Sequence, residues 1–566
     1  MFASGSESNS INEAQLNDNR SLKKINCWSE DLGFLSILLL FSLTIGMFHV
    51  DRSGSLWPDA ARYRNATLMI HDWIHSGQYV QPLEFAKEYY TQYPGFSVPF
   101  HPPGYPGLMA LSCLIFGTSY WSVRLFISLM LGLATWSLYG ILRKNQFNGK
   151  ASFFGACVWL TTPEVVHWSR TTMSEIPATA MILLASLSFL MWIETNRSRY
   201  VWLAFSLAYV AFLCRYTTAG VLPAWFLFSV AIGSWRRMLS PHVILPSIFY
   251  LVFGVAYLQF AKPFARYEFA ADGKEQGITW NNVLFFSESL GPMLFWGTSL
   301  LMLIGAFRFY RVRKSHPVGV FFLCWLVSFT VFKVFVPSSF ELRHFFGVIP
   351  AMAGLAAGTF LWKPRRKSIQ TVKFAIIVFA FSANLSLLIK VPYGVVGYEN
   401  LANEMSTLPR EGNVLMACHE DQDLIFRYRS HAGIEGKRHL VRGDRVLARR
   451  LPSYAKVAVE QLVNTQNDVI EVIKTGGIRY VVTCESSPAH PRRDAHYPEF
   501  VLAHQTAISN PTLFRQISQS QLFIQYEKPG RRYKVFLWEF DGKLPSTQNQ
   551  LPVEIPTWQE TISKKK

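Results

Sequence analysis

Charged residues are scarce in this chain, and that scarcity limits the classes of protein it can be. Asp, Glu, Lys and Arg make up 16% of its 566 residues, well below the roughly 25% typical of soluble domains. Half of the residues are hydrophobic, and they fall in long blocks that stop near position 391. The first block, Leu32 to Val50, has 19 residues and no Asp, Glu, Lys or Arg, which predicts a membrane-spanning helix. A soluble multidomain protein is therefore disfavoured.

Other signatures are also missing. The chain has no G-x-x-x-x-G-K-[ST] phosphate loop, no internal repeat and no low-complexity tract. The net charge of +18 does not indicate a nucleic-acid partner, because many Lys and Arg stand in short clusters between hydrophobic blocks. Only two of the seven cysteines, Cys418 and Cys484, lie in the polar C-terminal part. They could form a disulfide if that part is extracytoplasmic, and the sequence leaves this open.

Hydrophobic length and flanking charge predict a polytopic α-helical membrane protein with about eleven spans. The polar N-terminus is not a cleavable signal peptide, so the first span should be retained. The predicted spans are Leu32–Val50, Trp121–Leu142, Ala151–Trp168, Ile176–Ile193, Tyr200–Tyr216, Thr218–Gly233, His242–Ala261, Leu290–Phe307, Val318–Val336, Phe345–Trp362 and Val372–Val391.

The block Gly104 to Gly117 is too short, at 14 residues, for an ordinary span. With a cytoplasmic N-terminus, five basic clusters face the cytoplasm if this block does not cross, and all five face outside if it does. The positive-inside rule therefore predicts that the block is re-entrant or interfacial. The five clusters are Arg143/Lys144/Lys150, Arg197/Arg199, Arg236/Arg237, Arg308/Arg311/Arg313/Lys314 and Lys363/Arg365/Arg366/Lys367.

This topology predicts three parts. Residues 1–31 form a cytoplasmic tail, and residues 32–392 form a transmembrane domain whose first outer loop covers 51–103. Residues 393–566 form an extracytoplasmic α/β domain. Its strand-like runs are Asn413–Ala417, Arg479–Thr483 and Arg532–Trp538, and Tyr454–Thr465 looks helical. Polar loops near 262–289 and 337–343 also face outside.

Three short runs on the outer face could carry chemistry, although each also has a structural explanation. Trp57 to Tyr63 includes Asp59, which could instead cap the amphipathic stretch that follows. Phe100 to Pro106 includes His101, which could be a turn residue. Ser169 to Pro177 includes Glu175, which could instead favour the start of a helix.

A fourth run, His71-Asp72-Trp73-Ile74-His75, has the spacing of the zinc-protease motif H-E-x-x-H. Asp replaces Glu, and no third ligand is evident. A metalloprotease is therefore disfavoured, and an assisting metal there is left open.

In combination, the runs resemble polytopic glycosyltransferases of the C-type fold. The similarity is to protein O-mannosyltransferases and to the lipid A aminoarabinose transferase. Three features carry it over about residues 30–220: Pro58-Asp-x-x-Arg-Tyr63 just after the first span, His101-Pro-Pro-x-Tyr-Pro106 opening the short block that ends in Phe116-Gly117, and Ser169-Arg170 shortly before Glu175. Later similarity is thinner. Many relatives have a second carboxylate directly after the Asp, whereas this chain has Ala60, which puts a metal bound there in doubt.

The resemblance implies a hexosyl- or pentosyl-type transferase that takes its sugar from a polyprenyl-phosphate carrier. Phosphate leaves without a proton, so the reaction needs a base for the acceptor and cations for the phosphate. It implies Asp59 as the base and Glu175 as an assisting or orienting carboxylate. The implied substrate-binding residues are Arg62, Tyr63, His101, Arg215 and Arg343. The arginines could instead snorkel to lipid headgroups, and Tyr63 could be an interfacial anchor.

The expected partners are the lipid-linked sugar, membrane lipid and an extracytoplasmic acceptor, which could be a protein, a lipid or a glycan. No cofactor is required with certainty, and a divalent metal stays open. The expected location is a bacterial inner membrane with the site on its outer face. The main alternative function is a transporter or flippase, and a non-catalytic sensor is a further one. An oligosaccharyltransferase is disfavoured because the chain lacks a Trp-Trp-Asp signature.

Overall fold

A computed structural model describes most of the chain, with gaps at both termini and in several loops. The described residues are 30–48, 50, 58–96, 101–144, 147–269, 280–312, 317–335, 342–361, 366–388, 394–434, 436, 438–450, 459–485, 497–524, 531–544, 553–555 and 560–562.

Each predicted span coincides with helical structure. The α-helices up to residue 388 are α1 (Glu30–Met47), α2 (Pro58–Ser76), α3 (Pro82–Gln92), α4 (Gly104–Phe116), α5 (Tyr120–Lys144), α6 (Gly149–Thr161), α7 (Pro163–Ser169), α8 (Glu175–Thr195), α9 (Ser198–Cys214), α10 (Val221–Ala231), α11 (Trp235–Met238), α12 (Pro241–Phe269), α13 (Trp280–Val312), α14 (Pro317–Phe335), α15 (Ile349–Ala357) and α16 (Lys367–Leu388). Short 3₁₀ helices cover Tyr216–Gly220, Leu342–Val348 and Gly358–Leu361.

Five described helices are long and apolar enough to cross a membrane, and four shorter helices are apolar. The predicted number of eleven spans therefore stays a prediction. The five long segments are Glu30–Met47, Tyr120–Lys144, Glu175–Thr195, Pro241–Lys262 and Lys367–Ser386.

Three predicted elements differ from the structure. The predicted span Ala151–Trp168 is two helices, because Pro163 cannot continue the hydrogen-bonding ladder of α6. The predicted outer loop at 262–289 is partly helical, since α12 runs to Phe269 and α13 already begins at Trp280. The predicted helix Tyr454–Thr465 is wrong where it is described: residues 459–461 form a strand, and Thr465 caps a helix that only then begins. Hydrophobic spacing does not register these local breaks.

The short block 104–117 begins and ends on the same side of the bundle. α1 and α5 are antiparallel, with Asp31 bonded to Arg143 at one end and Arg124 bonded to the Gly46 carbonyl at the other. α4 ends just before that second end of α5. Its first residue, Gly104, packs against Leu213 at the end of α9, where Arg215 pairs with the start of α8. The interfacial placement predicted from charge is compatible with this geometry and stays a prediction.

The C-terminal part contains a six-stranded mixed sheet of order β1-β7-β8-β6-β2-β3. The strands β6, β2 and β3, which end at the β3 edge of the sheet, are parallel, as the alternation of helices and strands leads one to expect. The strands are β1 (Val395–Val396), β2 (Asn413–Ala417), β3 (Leu440–Arg442), β4 (Ala448–Arg450), β5 (Val459–Gln461), β6 (Ile478–Cys484), β7 (Phe514–Ile524), β8 (Arg531–Phe540), β9 (Val553–Ile555) and β10 (Glu560–Ile562). The helices between them are α17 (Tyr398–Ser406), α18 (Asp421–Ala432), α19 (Gly443–Val446), α20 (Gln466–Thr475) and α21 (Pro498–Ser509).

The first outer loop and this sheet share one hydrophobic core. Aromatic residues of α3 and its C-terminal extension, among them Tyr89, Tyr93 and Phe96, join the same buried cluster as Val414 of β2 and Tyr428 of α18. The other face of the sheet has a separate core.

We call residues 394–540 the sheet unit. The helices α2 and α3 pack on the face of its sheet that carries the shared core.

Cys418 and Cys484 are both free and buried. The parallel register that aligns Ala417 with Thr483 also makes these two cysteines neighbours at the strand ends. The disulfide that the sequence left open is not formed in this structure.

Candidate active site

Asp59 lies in the first turn of α2, where a carboxylate favours the helix dipole. Its Oδ2 lies 3.1 Å from Nη1 of Arg343. Its Oδ1 lies 3.5 Å from both Nε2 of His101 and Nη1 of Arg62. The side chain is only 16% exposed. Burial by itself would raise the pKa of Asp59, but the hydrogen bond and charge of His101 and the charges of Arg62 and Arg343 hold it well below the usual range.

Tyr63, at the end of the run Trp57–Tyr63, contacts residues of the two other runs, Phe100–Pro106 and Ser169–Pro177. Its ring lies 4.7 Å from the ring of His101 and 5.0 Å from that of Tyr105, measured between centroids. Its hydroxyl accepts a hydrogen bond of 3.4 Å from Ser174. Burial and the negative charge of Asp59 raise the pKa of Tyr63 well above its usual range, so the phenol stays protonated.

Glu175 begins α8 and is 1% exposed. Its Oε1 accepts a hydrogen bond of 2.7 Å from Nη1 of Arg215. Nη2 of Arg215 donates to the Arg343 carbonyl at 3.3 Å and to Nδ1 of His344 at 3.0 Å. Arg215 therefore connects α8 with the 3₁₀ helix that carries Arg343, and its planar guanidinium is suited to such bridging.

All seven residues singled out by the sequence thus lie in one contiguous cluster. The path runs from Arg62 and Asp59 to His101 and Tyr63, then through Ser174 to Glu175 and Arg215, and back to Arg343. Five separate segments supply it: α2, the turn before α4, the start of α8, the residue after α9, and the 3₁₀ helix Leu342–Val348. The roles of these residues remain predictions.

Sequence reasoning missed three residues of the cluster: Ser174, Lys333 and His344. Lys333 lies in the last turn of α14, is 2% exposed, and is close enough to Arg215 and His344 for their charges to interact. A lysine inside an apolar helix is itself a functional signal, and it could have been used. Burial and Arg215 lower the pKa of His344 well below its usual range, so this imidazole is neutral.

Among the described residues, the cluster has more basic than acidic side chains. Arg62, Arg215 and Arg343 outnumber the two carboxylates, Asp59 and Glu175, in a largely buried region. Guanidinium groups gathered in this way are suited to binding an anion such as phosphate.

Two other sequence features have structural roles. Arg170, from the Ser-Arg motif, donates to the Ile45 carbonyl at 3.1 Å and so fixes the end of α1. The rings of His71 and His75 meet edge to face, with centroids 4.5 Å apart, but Asp72 between them pairs with Arg429. Among the described residues, no three His, Cys, Asp or Glu side chains are grouped as metal ligands would be.

The fold has counterparts among solved structures. ArnT from Cupriavidus metallidurans, bound to undecaprenyl phosphate, aligns with a TM-score of 0.55 and 13% identity, over 89% of this chain and 98% of that one. Apo ArnT from the same organism gives 0.55 and 14%, with the same coverage. The chain has the C-type glycosyltransferase fold.

The sequence comparisons are consistent with that C-type fold. Residues 100–260 match the family described as dolichyl-phosphate-mannose-protein mannosyltransferase. No curated protein sequence matches the chain significantly. The resemblance predicted from the three motifs, to C-type polytopic glycosyltransferases, is confirmed.

Proposed function

We propose that the chain is a membrane glycosyltransferase that moves a sugar from a polyprenyl-phosphate donor to an extracytoplasmic acceptor. The observation that carries this is the carboxylate Asp59, held among Arg343, His101 and Arg62 in a cluster with more basic than acidic side chains among the described residues. A C-type fold that binds undecaprenyl phosphate, as in ArnT, supports the same donor class. The acceptor is a protein, a lipid or a glycan.

The cations bind the donor phosphate. Arg343 and His101 are adjacent to Asp59, and Arg62, Arg215 and Lys333 surround them. Guanidinium groups match phosphate oxygens in bidentate fashion. The phosphate leaves as an anion, and these same cations stabilise the charge that develops on it in the transition state. No general acid is needed.

Asp59 is the base that takes a proton from the acceptor. In the free protein its cationic neighbours make it a weak base, because they lower its pKa. A bound phosphate offsets the charges of Arg343 and Arg62, which raises the pKa of Asp59 toward its ordinary value. The carboxylate therefore becomes a better base only when the donor is in place. A single displacement at the anomeric carbon inverts its configuration.

Glu175 orients the site. Its Oε1 holds Arg215, whereas its buried Oε2 has no hydrogen-bond partner among the described residues. That oxygen is suited to accept a hydrogen bond from the acceptor. Tyr63, packed on His101, fixes the imidazole that faces Asp59.

The residues do not fit a divalent metal. Asp59 already contacts three basic side chains, Glu175 is paired with Arg215, and Ala60 stands where many relatives carry a second carboxylate. No step is assigned to a metal.

We further propose that residues 1–31 are cytoplasmic and that residues 32–392 form the transmembrane domain. Residues 393–566 then form a domain beyond the outer face, where the acceptor is also located. A bacterial inner membrane, with the site facing the periplasm, fits this arrangement and the basic clusters on the opposite side.

The decisive experiment measures sugar release or transfer from radiolabelled polyprenyl-phosphate hexoses and pentoses by purified protein in lipid. Asp59→Asn should lower turnover by roughly 10²–10⁴-fold, the usual contribution of a general base, and should retain binding of polyprenyl phosphate. If the wild type consumes none of these donors while both proteins bind the lipid, the enzyme hypothesis fails. A transporter or flippase would then be the leading alternative.

A further inference from the structure

Helix α2 has a catalytic end and a docking end. Asp59 is in its first turn, and Arg64, Asn65 and Asp72 contact α18 of the sheet unit. With a rise of 1.5 Å per residue, Arg64 lies about 8 Å from Asp59 along the axis and Asp72 about 20 Å. The two helices are thus joined by a near contact and a far contact relative to the site.

The near contact is an ion pair that also touches the first turn. Nη2 of Arg64 lies 2.5 Å from Oδ1 of Asp423, and the two side chains are 0% and 1% exposed. Nε of Arg64 donates to the carbonyl of Ala60, the residue after Asp59, at 3.3 Å. The guanidinium also lies over the ring of Phe426, 4.6 Å from its centroid.

Asn65 strengthens the same contact. Its Nδ2 donates to the Gln422 carbonyl at 2.9 Å and to the Gly95 carbonyl at 3.3 Å. Asp423 is itself held, since its Oδ2 accepts from Nε of Arg427 at 2.9 Å. The start of α18 therefore has a fixed carboxylate aimed at the catalytic end of α2.

The far contact is also a buried arginine–aspartate pair, but it lies farther from Asp59 along α2. Nη2 of Arg429 lies 2.5 Å from Oδ2 of Asp72, and both side chains are buried. Asp72 also contacts the neighbouring His71, at 2.9 Å, and forms a hydrogen bond with Tyr89. This pair joins the same two helices more than three turns away from Asp59.

We propose that Asp423 of the sheet unit is a positioning residue for Asp59, acting through Arg64. The Arg64–Asp423 pair fixes the rotation and height of the first turn of α2, and so the place of the Asp59 carboxylate relative to Arg343 and His101. Proton transfer demands placement to within a few tenths of an ångström. This inference rests on the proposed function, and the sheet unit thereby becomes part of the catalytic apparatus.

The two ion pairs provide a matched test. Asp423→Asn and Asp72→Asn are the same isosteric change, and each removes the carboxylate from one arginine contact between α2 and α18. Asp423→Asn also removes one partner of Arg427, which keeps its ion pair with Glu399. Both variants should lower the melting temperature by similar amounts. Asp423→Asn should lower kcat tenfold or more with little change in the donor KM, whereas Asp72→Asn should keep kcat within twofold of the wild type. Asp423→Glu, which retains the charge, should recover part of the loss.

A second readout does not need turnover. Hydrogen exchange of the full-length protein in lipid nanodiscs should be faster at residues 60–66 in Asp423→Asn, and at residues 69–76 in Asp72→Asn. Equal kcat losses in the two variants, or faster exchange confined to 69–76 in both, would overturn the proposal. If the wild type turns over no donor, the proposed function fails by itself, and the exchange pattern still decides whether Asp423 fixes the first turn.

Discussion

At the scale of single residues, the charge around Asp59 makes the pH profile informative. Its pKa is lowered in the free protein by His101, Arg62 and Arg343, so the base is ionised throughout the usual assay range. Because the pKa of this carboxyl is lowered on folding, its ion pairs stabilise the fold at pH values above the ordinary carboxyl pKa. This stabilisation is lost as the pH falls from that value toward the lowered pKa of Asp59.

We expect the acidic limb of kcat to lie at higher pH than that of kcat/KM. The base acts deprotonated, kcat/KM reports the free protein, and kcat reports the donor complex, in which phosphate offsets the cations and raises the pKa of Asp59. The measurement is both profiles from about pH 3 upward, so that a limb near the ordinary carboxyl pKa of about 3.9 falls within the measured range. Asp72→Asn, at the far end of α2, is the control for loss of stability at low pH. Coincident limbs, or a reversed order, would show that the phosphate does not bind to the cations around Asp59.

The residues of this cluster were predictable to different degrees. Asp59, His101 and Glu175 stand in short motifs of distinct composition, so the sequence identifies them. Lys333 stands in no such motif, and only the packing of α14 shows that it lies near Arg215. Ser174 lies within the Ser169–Pro177 run, but only the structure shows that its hydroxyl faces Tyr63. Arg64 looks like an ordinary helix residue, and its role depends on a partner 359 positions away.

At the scale of elements, the sequence identifies where the apolar helices lie because hydrophobic length is a strong local signal. That all eleven predicted spans cross the membrane stays a prediction. Breaks within helices were missed, since they depend on single residues such as Pro163 and on neighbouring helices. Gly305 illustrates the second cause: an added Cβ would lie 1.9 Å from the Leu355 carbonyl oxygen, so α13 and α15 approach too closely for a side chain.

Helix α4 supports a labelling prediction. Because both of its ends lie on the same side of the bundle, Gly107→Cys and Ser119→Cys should both react with a membrane-impermeant maleimide added from the outer face. Gly107 tolerates a side chain, because an added Cβ meets nothing within 4 Å. Arg197→Cys, at the opposite ends of α8 and α9, should react only after permeabilisation.

The unmodified protein gives the background from its own cysteines, and the described ones are buried or half-buried. Reaction of only one of the two α4 variants from outside would mean that the helix crosses the membrane. The helices on one side of α4 in the sequence would then have the opposite membrane orientation to the one predicted.

At the scale of the whole molecule, the boundary between membrane domain and C-terminal domain is less sharp than residue 393 predicts. The alternating strand and helix pattern after that point is visible in the sequence. The shared core is not visible in the sequence, because it joins α3 to β2 across more than 300 residues. No pattern in either segment indicates that the two pack together. Ion pairs follow the same interface, from Arg64–Asp423 to Asp72–Arg429.

This shared core predicts that a change in the outer loop will destabilise the sheet. Phe96 is 5% exposed and packs against Tyr89 and Tyr90. Phe96→Ala should cost about 3–5 kcal/mol, as large-to-small changes in cores do, and should speed hydrogen exchange in β2 as well as in α3. Leu83→Ala, on the exposed side of α3 at 46% exposure, should stay within about 0.5 kcal/mol. If Phe96→Ala speeds exchange only at the amides of α3, the sheet unit is stable without the shared core, and the outer loop contributes nothing to its stability. Helix α2, which carries Asp59, would then lack the rigid support that holds this carboxylate beside Arg343.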